Sequence, residues 1–367
     1  MIGVVDAFSD SYALARQKFL RGCLAAGLAV DSRPLPLPGA QGEQLAMDVA
    51  LDGAADARRL LVVSSACHGV EGHCGSGVQV FALHDAEWRA KARDAGVAVL
   101  YIHALNPHGF SHGRRVTQEN VDLNRNFIDF GQPLPVNEGY ASLHALLLPD
   151  QWPPSPTDEQ ALNGWMAQHG LPAFQAAVSG GQYQFGDGLF FGGQAPTWSN
   201  RTLRELLRRY AGQAAHIAWI DLHTGLGPNG HGERIFAGRN DAAELARASA
   251  WWSGGGATPV TSMYDGSSTS AELQGLLCHA VYDECPQAQY TGIALEYGTE
   301  PLLEVMAALR GDHWLHQHPK AAPELAATLR DRMRRAFYTD TDAWKGQVIS
   351  QARQAMFQAV DGLRASA

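Results

Sequence analysis

The string ACHGVEGHC holds a His68-x-x-Glu71 pair directly after the apolar run RLLVVSSA. A short run rich in β-branched residues, closed by small residues and glycine, predicts a buried strand. The pair therefore sits in the turn leaving a strand, where an imidazole and a carboxylate can be aimed at one point. Catalytic zinc takes three protein ligands of this nitrogen and oxygen type and keeps a fourth position open for water. His223 offers a third ligand at the end of a second apolar run, HIAWIDLHTGLG. A lone H-x-x-E string is common and says little by itself. The weight falls on what the other strand ends carry.

VAVLYIHALNPHGF reads as a strand running into a turn, and the following ENVDLNRNF sets Asn124 beside Arg125. YTGIALEYGT reads as a fourth strand with Glu296 near its end. In open α/β sheets ligands bind outside the carboxyl ends of the strands. Three of these four strands deliver a ligand-type or ionisable residue there. The fourth leads into the loop that holds Arg115, Asn124 and Arg125.

Taken in order, H-G-x-E, N-P-x-G-F, an arginine pair ahead of V-D-L-N-R-N-F, D-L-H-T-G and L-E-Y-G-T resemble the zinc metallocarboxypeptidase superfamily. That superfamily also holds the aspartoacylase and succinylglutamate desuccinylase enzymes. FSDSYALARQKFL and SGGQYQFGDGLFFGG are similar to a bacterial group of carboxypeptidase-like proteins within it. The resemblance runs from the N-terminus to about residue 320. It implies an α/β fold: a mixed, mostly parallel twisted sheet with helices on both faces, in a single domain with an inserted segment.

The resemblance also implies roles. His68, Glu71 and His223 are the expected ligands of one zinc per chain. Glu296 is the expected general base, since a carboxylate within reach of an activated water can take its proton. Arg115, or its neighbour Arg114, is the expected stabiliser of the oxyanion. Asn124 and Arg125 are the expected clamp for a substrate carboxylate, because a guanidinium fork matches a carboxylate and an amide adds a further donor. Asp122 is expected behind His68, with Asp221 in a similar position behind His223. Tyr264, in SMYDGSSTS, resembles a tyrosine that closes over substrate, with Tyr282 and Tyr290 as rivals.

Two activities fit these residues. One is removal of a C-terminal residue from a peptide. The other is deacylation of a small N-acyl amino acid, which presents the same free carboxylate. A third reading, an inactive binding protein of the same fold, is disfavoured because every required residue type is present. No specificity residue stands out, and Gly266 to Leu276 is the stretch in which to look for one.

Composition narrows the rest. The chain has 367 residues, 46% hydrophobic and 18% charged, which is a globular composition. A net charge of −9 without a basic stripe argues against nucleic acid. No apolar stretch is long enough for a membrane span, and the N-terminal residues do not read as a secretory signal. Five cysteines, an odd and low count, suit free thiols and a cytoplasmic setting. Cys67 and Cys74 flank the candidate site but match no zinc-pair spacing.

Strand, turn and helix alternate over most of the chain. The catalytic domain is expected over 1–345 with a C-terminal helix over 346–367. Residues 131–200 break the alternation and read as an insertion near the cleft. In it, LLPDQWPPSPTDEQ reads as a Pro-rich loop. WSNRTLRELLRRYA then reads as a helix capped by Ser199 or Asn200.

Overall fold

The computed structural model describes residues 2–254 and 258–366. Among them eight strands form one sheet: β1 (Val30–Pro38), β2 (Gln44–Asp52), β3 (Arg59–Ser64), β4 (Ala98–His103), β5 (His216–Gly225), β6 (Gly232–Phe236), β7 (Val260–Thr261) and β8 (Gln289–Gly298). Their order is β1-β2-β4-β3-β5-β8-β6-β7. The central four, β4, β3, β5 and β8, run parallel. β2 and β6 flank them antiparallel. This is the mixed, mostly parallel sheet expected from the sequence.

Side chains alternate across a strand, and each central strand feeds two cores. Leu61, Val63, Ile220, Leu222, Ile293 and Leu295 face one layer, with the helices Tyr12–Ala25, Gly72–His84 and Asp342–Ala365. Leu60, Val62, Leu100, Ile217 and Trp219 face the other, with the helix Trp198–Ala211. Burial on both sides explains why these strands read as continuous apolar runs.

β1 contains Pro34, Pro36 and Pro38, residues normally kept out of strand interiors. It lies at the sheet edge and pairs only with β2, so the missing N–H groups cost no ladder bond. Several local expectations need correction. The stretch expected to be a Pro-rich loop contains the start of a helix, Pro156–His169. Ser155 and Asp158 close a capping box there, with proline in the first turn. The helix Trp198–Ala211 is capped by Thr197, not by Ser199 or Asn200. The last helix runs Asp342–Ala365, and residue 367 of the expected C-terminal segment lies outside the described residues.

The 131–200 segment holds three helices, Glu138–Leu147, Pro156–His169 and Leu171–Ser179. Tyr140, Leu143 and Phe174 pack against Met306, Leu309 and Met333 of the helices Leu302–Gln317 and Pro323–Phe337. These residues form a core of their own beside the sheet.

Candidate metal and catalytic site

The turn after β3 depends on a close approach at Gly69. Gly69 lies so close to the helix Pro107–His112 that a Cβ on it would stand 2.0 Å from the carbonyl carbon of Gly109. Asn106 caps that helix through Gly109 N and also donates to Arg115 O. The backbone N–H groups of Gly69 and Val70 donate to Arg115 O and Arg114 O. The N-P-x-G string thus joins the loop carrying Arg115 to the turn carrying His68 and Glu71.

His68, Glu71 and His223 meet at one point. His68 Nδ1 is 2.9 Å from Glu71 Oε1, His223 Nδ1 is 3.1 Å from Glu71 Oε2, and the two Nδ1 atoms are 3.2 Å apart. Each ring turns its other nitrogen to a carboxylate: His68 Nε2 to Asp122 Oδ1 at 3.2 Å, and His223 Nε2 to Asp221 Oδ2 at 2.6 Å. Asp221 is itself fixed by Ser64 Oγ, which accepts from Trp219 Nε1. Thr224 N donates to Glu71 Oε2.

Charge in this cluster is strongly perturbed. Burial works against the Glu71 carboxylate, but His68 and His223 outweigh it and hold its pKa below the usual range. Burial also opposes a cation on His223, yet Asp221 and Glu71 raise its pKa well above normal. Glu296 behaves differently. Burial, then the neighbouring Glu71 charge, push its pKa up to about 7. Its Oε1 accepts from Leu226 N at 2.9 Å, and its backbone lies in register beside His223 on β5.

The donor set suits zinc. Zinc–ligand bonds of about 2.0–2.1 Å in a tetrahedron place donors roughly 3.3 Å apart, close to the separations seen here. A second group, Cys67, Asp221 and His223, also lies close together. It fits less well. Asp221 is already bonded to Ser64 and His223, and burial pushes the Cys67 thiol well up, against the thiolate a metal needs.

Of the two candidate arginines, Arg115 reaches the cluster. Its Nε donates to Asp122 Oδ2 at 2.9 Å, its Nη1 to Glu71 Oε1 at 3.1 Å, and its Nη2 lies 2.8 Å from His68 Nε2. Arg114 turns away to Asp312 and Asn120. Arg125 is 2% exposed by side chain. It spends Nε and Nη2 on Ser179 O and Nη1 on Asn124 O. A guanidinium has five N–H groups, so two remain for a ligand. Asn124 accepts from Leu277 N through Oδ1, which leaves its amide N–H₂ toward the cavity it lines.

Phe190 of the 131–200 segment lies under both guanidinium groups, 5.1 Å from Arg115 and 5.5 Å from Arg125. Gln175 and Ser179 from the same segment line the cavity, and Gln175 Nε2 donates to Thr269 O. Thr269 is held in turn by Glu233, the register partner of Glu296 on β6. Phe190 and Glu233 are not among the residues expected from the sequence. Their neighbours come from distant parts of the chain, and no local spacing signals them.

Tyr264 is not brought to the cluster. Its hydroxyl donates to Gly238 O, and it lines a separate surface groove with Arg239 and Tyr282. His108 and His112 also stay away, stacked on each other at 4.2 Å. All five cysteines are buried and free, and no described helix is long and apolar enough to cross a membrane.

The cavity at the cluster has a volume of about 110 Å³. That is several times the roughly 10–15 Å³ one water needs, so the site has room for a ligand.

Comparison with known proteins agrees with this architecture. Bovine thrombin-activatable fibrinolysis inhibitor, solved in complex with tick carboxypeptidase inhibitor, matches with a TM-score of 0.50 at 10% identity, covering 97% of each chain. Two looser matches are a metallo-carboxypeptidase from Pseudomonas aeruginosa and murein-tripeptide amidase from Escherichia coli O157. The first has a TM-score of 0.40 at 12% identity, over 95% of this chain and 69% of that one. The second has 0.37 at 16% identity, over 82% and 92%. No curated protein matches in sequence. The fold is the one seen in the thrombin-activatable fibrinolysis inhibitor structure. A family model described as "Protein of unknown function (DUF2817)" matches residues 8–351, and the chain belongs to that family.

Proposed function

We propose that the chain is a zinc-dependent hydrolase that cleaves the amide bond next to a free carboxylate, as a carboxypeptidase does at a peptide's C-terminus. The observation that carries this reading is the convergence of His68 Nδ1, His223 Nδ1 and Glu71 beside the buried carboxyl of Glu296. Zinc bound there would polarise the scissile carbonyl and acidify water near neutral pH. Glu296 takes the proton of the attacking water and returns it to the leaving nitrogen. Arg115 donates to the carbonyl oxygen as negative charge develops on it. Asn124 and the two free N–H groups of Arg125 bind the substrate carboxylate. Asp122 and Asp221 orient the two ligand rings. On this reading residues 1–345 form the catalytic domain, with 131–200 inserted beside the cleft.

Deacylation of a small N-acyl amino acid is the second reading, because such a substrate presents the same free carboxylate to Asn124 and Arg125. The test begins with elemental analysis, which should find one zinc per chain in wild type and none in His223→Ala. Peptides are then screened against N-acyl amino acids. Glu296→Gln should keep its zinc and lose about 10²–10⁴ in kcat, the range for lost acid–base catalysis. Wild-type turnover by Glu296→Gln would overturn the mechanism.

A further inference from the structure

We infer that Trp219 and Ser64 are positioning residues for the metal site: a hydrogen-bond relay runs from the Trp219 indole through Ser64 and Asp221 to His223 and sets how tightly zinc is held. This rests on the zinc-ligand reading above and adds two residues to it, neither of them a ligand.

Trp219, Asp221 and His223 stand at every second position of β5, and Ser64 on β3 is the register partner of Asp221. Trp219 Nε1 lies 2.6 Å from Ser64 Oγ, and Ser64 Oγ lies 2.5 Å from Asp221 Oδ1. Asp221 Oδ2 lies 2.6 Å from His223 Nε2. All four side chains are buried, away from bulk water.

The relay has one direction. An indole N–H can only donate, so Ser64 accepts from Trp219 and its single hydroxyl proton goes on to Asp221 Oδ1. Among the described residues Ser64 is the only hydrogen-bond partner of that oxygen. The other oxygen, Oδ2, accepts from His223 Nε2. With the Nε2 proton committed to Asp221, Nδ1 is the nitrogen left for a metal, and Nδ1 is the atom that meets His68 and Glu71. Loss of the Ser64 hydroxyl would leave a buried carboxylate oxygen without a donor. Asp221 could then turn away from His223.

The experiment titrates the metal-free full chain with zinc against a fluorescent chelator. It compares wild type, Ser64→Ala, Trp219→Phe, Asp221→Ala and the double variant Ser64→Ala/Asp221→Ala. Ser64→Ala should weaken zinc binding about tenfold, the low end of the range for outer partners of a ligand. Trp219→Phe keeps the aromatic bulk and should give a smaller loss in the same direction. In the Asp221→Ala background, Ser64→Ala should add less than about twofold, because the residue it acts through is gone. A merely structural serine would cost the same in both backgrounds. That result overturns the inference, as does wild-type zinc affinity in either single variant. NMR of the zinc-loaded protein gives a second readout. The His223 Nε2 proton should appear as a slowly exchanging downfield signal in wild type and exchange faster in Ser64→Ala and Trp219→Phe. An unchanged signal in both refutes the relay. Urea unfolding identifies a variant that fails to fold, and the remaining single variant then decides. Zinc uptake by wild type with no effect of Ser64→Ala refutes the relay and leaves the hydrolase reading standing. No zinc uptake by wild type refutes the ligand set itself.

Discussion

Asp221 Oδ2 lies 2.6 Å from His223 Nε2, two residues along the same strand. Residues i and i+2 share a strand face, so the D-L-H string carries its own orienting carboxylate. With Nε2 occupied, Nδ1 of His223 turns toward His68 and Glu71. Asp221→Ala should leave the sheet intact and weaken zinc binding by about 10–100-fold, the range for loss of such a partner. Competition with a fluorescent zinc chelator measures this. An unchanged zinc affinity would show that Asp221 does not tune the ring.

The glycine of H-G-x-E has a separate job. A Cβ at Gly69 would meet the backbone of Gly109 at 2.0 Å, which no side-chain rotation relieves. Gly69→Ala should therefore cost roughly 3 kcal/mol or more, as strain in a tight core does. Gly164 is the contrast, in the helix Pro156–His169, where an added methyl would meet nothing within 4 Å. Gly164→Ala should stabilise by about 0.4–1 kcal/mol, because alanine has less unfolded-state freedom to lose. Chemical denaturation of both variants compares them. Equal, small effects would refute the close-packing argument.

Two buried histidines far from the cluster predict acid sensitivity. Burial pushes the pKa of His103 down to about 4, and burial together with Arg114 does the same to His313. Both values lie below the unfolded value of about 6.5. Between pH 6.5 and 4 the unfolded chain therefore binds more protons. Stability is full above about pH 6.5 and falls toward pH 4, by up to about 3 kcal/mol per histidine. His313→Gln should show a shallower loss than wild type between pH 7 and 4.5 in urea titrations. Parallel curves for the two proteins would show that His313 does not contribute.

Much of the cluster was legible because its residues sit at the ends of apolar strands, where local pattern and topology agree. His68, His223 and Glu296 are placed by β3, β5 and β8, and those runs are continuous because both sheet faces are covered. β1 was not legible, since prolines contradict a strand unless the strand is known to be an edge. The helices of residues 131–200 were hidden by prolines that cap rather than break them, as at Ser155 and Pro156. Tyr264 was misplaced by a short string whose neighbours carry no information about where its loop turns. The engagement of Arg125 with Ser179 O joins residues 54 positions apart, beyond the reach of any local pattern.

That engagement separates two residues that the sequence treats as one clamp. Arg125 holds the backbone of the 131–200 segment through Ser179 O, and Tyr183 donates to Arg125 O. Arg125→Ala should thus lose stability as well as substrate binding, because buried carbonyls are left unpaired. Asn124 gives the cleaner test. In Asn124→Asp the acceptor for Leu277 N is kept, and the donor facing the cavity is replaced by a negative oxygen. Folding should change little, while KM for substrates with a free carboxylate should rise by about tenfold or more through lost bonding and like-charge repulsion. Amidated analogues of the same substrates should lose much less, since they bring no charge to repel. Thermal unfolding and paired kinetics on free and amidated substrates measure both arms. If Asn124→Asp binds the free and amidated forms with the wild-type ratio, Asn124 does not contact the carboxylate, and the clamp has to be sought elsewhere in the cavity.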